Sequence, residues 1–505
     1  MNALKSTPGG ILSASGRWET FSKEPKDQSG GEEAVFKPIT NIFDNIVTAI
    51  ITTSELTTDN CSVEIVQNPS RAPTSAERYN ATRPDGYLLL KDRSDRAGVS
   101  WADIALSCEY KRGDGTNDLD DDVRKCLWSM QHVMRGGPCR RATYGMTIKN
   151  ATTRVWFCCR SSVVVSEPFN FITEPKALVE LFAAFAFADK KSLGFDPTIS
   201  RAPGDPTQFI ITVHPHDNEE PRRFRTTQTI SSFGVEPLRG RGTRVFEAIE
   251  LDEHGKERGA PVVLKVVWID HDRMREGTVL AHLYEEADEE DKKLVKRHFL
   301  ATVCHGDVLV ERAVVDDTLN LMCRLDTAQD SVFKLQKNAS SVSERKVPSG
   351  LANLRATSRL HTHYRIVFEE KGVTVDLLPS LRDVTKALAD IVIALKLLTK
   401  LGWVHRDVSI GNILWYKGGG KLGDLEYAKK MGDMMSHDLR TASGTCIGTI
   451  QFMSIEVAAH RFLFPPAQPS VPVKQAFREI QQQEQYNKLV QLPFVHIYLH
   501  DLESL

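Results

Sequence analysis

One stretch constrains this chain more than any other: His405-Arg406-Asp407-Val408-Ser409-Ile410-Gly411-Asn412, with Asp424 twelve residues beyond it. Residues 413–416 read as a short apolar strand. Gly418-Gly419-Gly420 reads as a tight turn, since glycine tolerates positive φ. Residues 421–423 would begin the return strand. A hairpin folded at the glycines brings Asn412 and Asp424 to the same end. Two oxygen ligands then face one point, which suits a hard cation such as Mg²⁺. Asp407, five residues before Asn412, can orient an attacking hydroxyl. The competing reading is a surface hairpin with scattered Asp and Asn.

The eight-residue pattern matches the protein-kinase catalytic loop. Together with the runs GDLEYAKK and GTIQFMSIE, it resembles the fungal-type protein kinase family. The resemblance implies an α+β chain with a bilobed kinase fold. It also implies ATP-dependent transfer to Ser/Thr hydroxyls of protein substrates, with Mg²⁺ as cofactor. In that scheme Asp407 takes or orients the hydroxyl proton, Asn412 and Asp424 hold the metal, and Lys265 anchors phosphates. Arg406 would hold the activation segment, where Ser443, Thr445 and Thr449 are candidate regulatory hydroxyls.

The region upstream supplies the other half of such a site. Leu238 to Val245 resembles a glycine-rich loop, in which Gly240 and Gly242 let backbone N–H groups approach phosphates and Val245 flanks the nucleotide. Two strands follow, at 245–251 and 261–267, and Lys265 lies on the second. Glu276 is its expected partner at the start of a helix, with Glu285 and Glu286 as rivals. Residues 363–368 read as the strand entering the hinge, and 369–372 as the hinge, where the backbone at Glu369 would meet adenine. Val384, Ala387, Leu388, Ile391, Val392, Leu395 and Leu398 recur at helical spacing, a core stripe ending near Gly402.

The chain also departs from the family's pattern. A third loop glycine is missing. Ser409 stands where Ser/Thr kinases carry a lysine. Asp424-Leu425-Glu426 replaces Asp-Phe-Gly, and Ser454-Ile455-Glu456 replaces Ala-Pro-Glu. His500 to Leu505 resembles the start of the central helix of the larger lobe, with Asp501 bracing the catalytic loop. This predicts a partial lobe over 373–505, with a smaller lobe at 228–372, and low stability and activity for the 505-residue chain. Insertions are expected at 337–360 and 464–493.

Composition places few limits on function. A net charge of −2 gives no global attraction to nucleic acid or membrane. Nine cysteines without a CxxC pair suggest reduced thiols and an intracellular setting, cytoplasmic or nuclear. The longest apolar run, 177–188, is too short to span a bilayer.

Residues 1–33 are polar and predict a disordered tail. Residues 34–205 predict an α/β domain, with helices near 43–56, 118–135 and 174–188, the last capped by Thr173. Residues 204–225 read as a polar connector with a strand at 209–213. Within the domain, Pro84-Asp85 and Glu109-Tyr110-Lys111 resemble the PD-(D/E)xK pattern of restriction-endonuclease-like folds. Strand alternation puts Glu109 and Lys111 on one face, where Asp85 could complete a carboxylate pair. A polar strand edge explains the pattern as well, and no basic stripe with aromatics accompanies it. The alternatives to a kinase are therefore a pseudokinase that binds nucleotide, or a nuclease-like or nucleic-acid-binding protein led by the N-terminal domain.

Overall fold

Apolar residues on both faces of the early strands demand helices on both sides of one sheet. The computed structural model describes Met1, Leu4 and residues 11–13, 16–67, 69–75, 82–93, 98–216, 219–232, 235–322, 360–431, 449–459 and 496–505. Helix α1 (Pro38–Thr53) precedes strands β1 (Val63–Gln67), β2 (Gly86–Leu90) and β3 (Ile104–Lys111). Helix α2 (Thr116–Arg135) follows, then β4 (Ala142–Lys149), β5 (Thr152–Cys159), β6 (Val163–Val165) and β7 (Phe169–Asn170). The strands lie in the order β1 to β6, with β7 beside β5. Only β3 and β4 run parallel. A parallel pair requires a crossover, and α2 provides it.

The period of two, interrupted by a bulge in β3 between Ile104 and Leu106, decides which helix each face meets. Leu88, Leu90, Leu106 and Cys108 pack with Phe43 of α1 and Phe182 of α3 (Pro175–Ala186). Tyr87, Leu89 and Ile104 face the other way, toward Val133 of α2. The helical stretch Glu32–Thr53 is long and apolar enough to cross a membrane, yet Ile39, Ile42, Phe43 and Ile46 are buried in this core.

A second seven-stranded sheet follows, fully antiparallel, in the order β13–β14–β12–β11–β10–β9–β8. Its strands are β8 (Ile199–Ala202), β9 (Asp205–Val213), β10 (Arg222–Ser231), β11 (Arg244–Leu251), β12 (Glu257–Asp270), β13 (Thr302–Asp307) and β14 (His361–Phe368). Helices α4 (Glu276–Glu286) and α5 (Glu289–His298) lie between β12 and β13 in the chain. Helix α6 (Leu381–Lys400), the hairpin β15 (Ile413–Tyr416) and β16 (Gly419–Leu422), and α7 (Tyr498–Ser504) complete the described elements used below.

The structure differs from the sequence expectations at several places. The tail expected over 1–33 is ordered where described. Trp18 and Phe21 are fully buried, and the Trp18 indole donates to the Phe171 carbonyl at 2.7 Å. The strand expected at 209–213 is present within β9, but the connector around it also holds the start of β10, and the second sheet already begins at Ile199, before the expected boundary at 205. Glu174, not Thr173, occupies the cap position of α3, with no side-chain cap bond. The insertions at 337–359 and 464–493 lie outside the described residues, as do Ser443 and Thr445.

A buried ion cluster ties the two sheets together. Arg141 bonds Asp316 at 2.8 Å, Arg365 bonds Asp196 at 2.6 Å, and His363 sits 2.9 Å from Asp316. Asp196, Asp316 and His363 are close enough to hold a metal. Two guanidinium groups already neutralise the two carboxylates, so a cation would add uncompensated charge.

Candidate functional site

The catalytic-loop residues are positioned from behind by α6 and from beneath by α7. Ser380 caps α6 by accepting from the Asp383 N–H. Gly402, at φ +78°, ends that helix in the left-handed region that glycine tolerates. The chain then enters the loop, where the Asp501 carboxylate accepts from the backbone N–H of His405 at 2.7 Å and of Arg406 at 2.9 Å. Arg406 has φ +73°, a strained conformation for a non-glycine residue, held here by its surroundings. The buried His405 ring links the loop to the metal-side strand: Nε2 donates to the Gly423 carbonyl at 3.0 Å. Its Nδ1 accepts from the Asp407 N–H at 3.3 Å, so both ring nitrogens have assigned roles.

The hairpin forms as expected, but around a different turn. Tyr416 pairs with Gly419, leaving Lys417 (φ +46°) and Gly418 (φ +83°) as a two-residue turn. Two positive φ values are what a type I′ hairpin needs. Gly419 and Gly420 belong to the return strand instead. Gly420 lies so close to α6 that a Cβ there would fall 2.6 Å from the Ala387 carbonyl oxygen. Its N–H donates to Asp390 at 2.8 Å. The hairpin closes with the Gly423 N–H on the Asn412 carbonyl at 2.9 Å, which places Asn412 beside Asp424.

Within this frame the Asn412 NH₂ donates to the Asp407 carbonyl at 2.8 Å. That orientation leaves its Oδ1 as the outward acceptor. Asp407 accepts from both the backbone N–H and the hydroxyl of Thr449, at 2.9 and 2.8 Å. Thr449 is therefore engaged with Asp407 rather than displayed as a regulatory hydroxyl. Ser409, in the position of the usual lysine, is buried.

Lys265 reaches the same place from β12. Its ammonium lies 2.7 Å from Glu276 and 2.6 Å from Asp424. Glu276 also accepts from the Leu425 N–H at 3.1 Å, which binds α4 to the segment after Asp424. Glu286 pairs with Lys430 instead and Glu285 is exposed, so neither rival is the partner. Burial alone would lower the Lys265 pKa, but Asp424 and Glu276 hold it above the usual lysine range. Burial pushes Asp424 up, and Lys265 with Arg241 more than reverses this, holding it well below the usual carboxylate range. Glu426 goes the other way, pushed up to about 7 by burial.

Arg241, between the two loop glycines, went unnoticed in the sequence. Its guanidinium lies 3.3 Å from Asp424 and pairs with Glu426. It therefore shares Asp424 with Lys265. Gly240 and Gly242 have φ +109° and +53°. The loop is gripped by the first sheet: the Gly240 N–H donates to the Arg160 carbonyl at 2.7 Å, and Arg160 donates to the Pro237 carbonyl at 3.0 Å. Arg135 of α2 pairs with Glu236 at 2.9 Å. A Cβ on Gly242 would meet the Arg160 guanidinium at 2.7 Å. Sequence could show glycines at this spacing but not that a distant residue in the turn after β5 anchors them.

Val245 pairs with Lys265 across β11 and β12, on the wall beside the lysine. Glu369 follows β14 and is exposed. Its N–H is taken by the Ala301 carbonyl at 3.0 Å. The Asn412 amide oxygen and the Asp424 carboxylate form a hard oxygen donor set, which fits Mg²⁺. Asp424 must first release Arg241.

A lysine–glutamate pair joined to a metal-side aspartate, facing an Asp–Asn catalytic loop, defines a protein kinase. Residues 83–505 match the profile described as fungal protein kinase, and the chain belongs to that family. The match begins well before residue 228 and takes in most of the first sheet. Among curated proteins, no sequence matches the chain.

Proposed function

We propose that the protein transfers the γ-phosphoryl group of ATP to Ser/Thr hydroxyls of protein substrates. The observation that supports this most is the Glu276–Lys265–Asp424 chain of ion pairs, assembled facing Asp407 and Asn412. Lys265 would anchor phosphates once Asp424 turns to Mg²⁺, with Asn412 Oδ1 as the second ligand. Mg²⁺, when bound, neutralises charge on the phosphates. Asp407 takes the hydroxyl proton as the substrate oxygen bonds phosphorus and the bridging P–O bond to ADP breaks. Thr449 steers that carboxylate through its N–H and its hydroxyl. The Gly240–Val245 loop and the Glu369 carbonyl would contact the nucleotide. The free thiols of the described cysteines fit an intracellular setting.

The test is thermal. Mg-ATP is expected to raise the melting temperature by binding the folded state. Lys265→Met and Asp424→Asn should each remove most of that rise. An undiminished rise in both variants rejects the site. A related expectation concerns Arg241. Charge-assisted hydrogen bonds are worth about 1.5–3 kcal/mol, and Arg241 competes with Mg²⁺ for Asp424. Arg241→Ala should therefore tighten Mg-ATP binding by roughly tenfold or more, measured by calorimetry. Weaker binding would instead make Arg241 a phosphate ligand.

The first sheet supports a second reading for the N-terminal region. Helix, three antiparallel strands, crossover helix and parallel strand follow the order of restriction-endonuclease-like folds. The Asp85 carboxylate accepts from the Tyr110 N–H at 2.8 Å, so it meets the strand between Glu109 and Lys111.

A further inference from the structure

The loop over 235–243 joins β10 to β11 and so belongs to the second sheet by sequence. Its partners are largely on the first. Gln131 and Arg135 of α2 hold the Glu236 carbonyl and carboxylate. Arg160, in the turn after β5, makes a two-way contact. Its guanidinium donates to the Pro237 carbonyl at 3.0 Å, and its own carbonyl accepts from the Gly240 N–H at 2.7 Å. Leu238, between those two, packs with Val123 and Met130 of α2 and Trp156 of β5.

Two observations separate Arg160 from an ordinary packing residue. The first is an arginine buried without a counter-charge. Arg160 is 3 % exposed, and its Nε has no hydrogen-bond partner. Its other nitrogens go to the Pro237 and Met134 carbonyls, at 3.0 and 3.4 Å. Burial, with repulsion from Arg244, pulls its pKa down to about 10, and no carboxylate opposes this. A buried cation in that setting is costly, and what it secures is the bond between α2 and the loop. The second is where the loop then points. The far side is fixed by β12, whose Trp268 N–H donates to the Arg241 carbonyl at 2.8 Å. Arg241 is thereby held between the two sheets, and its guanidinium is delivered to Asp424 at 3.3 Å and to Glu426. Fixing the loop in advance lowers the entropy cost of that contact.

We propose that Arg160 is a positioning residue for phosphoryl transfer, and that through it the first sheet acts as an inhibitory clamp on the nucleotide loop. The pinned loop keeps Arg241 on Asp424, and Mg²⁺ gains that carboxylate when the loop lifts. The inference rests on the nucleotide site proposed above and adds the N-terminal region to it as a regulator. A loop freed from Arg160 orders Arg241 at a higher entropy cost, so the population shifts toward the form that accepts the metal.

The test is a double-substitution cycle on the full chain, read as Mg-ATP affinity by calorimetry. Arg160→Ala is expected to tighten binding roughly fivefold, an ordinary coupling for groups in one contact network. In a chain already carrying Arg241→Ala, the same change should alter affinity by less than about twofold, because no arginine remains to be held on Asp424. In chelator, where no cation competes for Asp424, ATP affinity should also stay within about twofold. Lost packing alone would lower the melting temperature, but its effect on binding would not depend on Arg241 or on Mg²⁺. Arg160→Lys keeps one donor for the Pro237 carbonyl and should lie between. If Arg160→Ala fails to fold, Glu236→Gln runs the same cycle at smaller size, since it weakens the Arg135 pair from an exposed side chain. Equal changes in both backgrounds, or weaker binding after Arg160→Ala, overturn the clamp alone. No Mg-ATP binding in either the unaltered or the Arg241→Ala chain rejects the nucleotide site, and the clamp with it.

Discussion

Asp407→Asn is expected to slow phosphoryl transfer by about 10²–10⁴, the usual worth of a positioned general base, while leaving Mg-ATP affinity within twofold or so. The substitution is nearly isosteric. The Asn412 NH₂ bonds the Asp407 main-chain carbonyl at 2.8 Å, which the change does not touch. A side-chain oxygen remains to accept from Thr449, now 2.9 and 2.8 Å away. What disappears is the negative charge that would take the hydroxyl proton. Single-turnover transfer to a Ser/Thr peptide, beside calorimetric ATP binding, separates the two effects. A parallel loss of binding would make Asp407 structural. Unchanged transfer would remove it from the chemistry. Thr449→Ala should give a smaller loss, since it frees the carboxylate without removing it.

The kinase half of this site was legible because its residues are close in sequence and their spacing is set by local geometry. A loop, a short strand, a turn and a return strand bring Asn412 to Asp424 wherever the turn falls. That is why placing the turn at the glycines, rather than at Lys417-Gly418, did not disturb the result. Glu276 was also legible, because a helix opening shortly after β12 can return only its first turn to Lys265. The unread features are long-range. Trp18 and Phe21 sit in a polar stretch whose composition reads as a tail, and their burial depends on Phe171 and α1. β8 looks like the end of one domain because only its pairing with β9 assigns it to the next sheet. Arg241 was visible as a residue, but its direction follows from Arg160 and Arg135 holding the loop. In the first sheet, Asp85, Glu109 and Lys111 were read from strand alternation. Asp122, buried on α2, was not singled out, because burial is not a property of sequence spacing.

The largest expected effect on stability lies at Asp501. Its carboxylate accepts from the His405 and Arg406 N–H groups and lies 2.8 Å from His496 Nε2. Asp501→Ala would leave two buried N–H groups without partners, at about 1–3 kcal/mol each. It would also release Arg406 from a strained backbone worth about 1–3 kcal/mol, so the loop should relax away from the geometry that aims Asp407. Removing one partner of a buried charged pair costs about 3–5 kcal/mol. A urea midpoint lowered by that equivalent is expected, together with near-complete loss of transfer. Asp501→Asn keeps an acceptor and should lie between. The pH dependence gives a separate check. Burial pushes Asp501 up, but His496 pulls it further down, so its folded value lies below the ordinary 3.8. A depressed carboxylate stabilises the fold above its unfolded pKa, and that contribution fades as pH falls through the folded value. The stability gap between wild type and Asp501→Asn should therefore be full above about pH 4, near the unfolded carboxylate value, and narrow below it. A gap that stays constant into acid would mean that the carboxylate charge does not brace the loop.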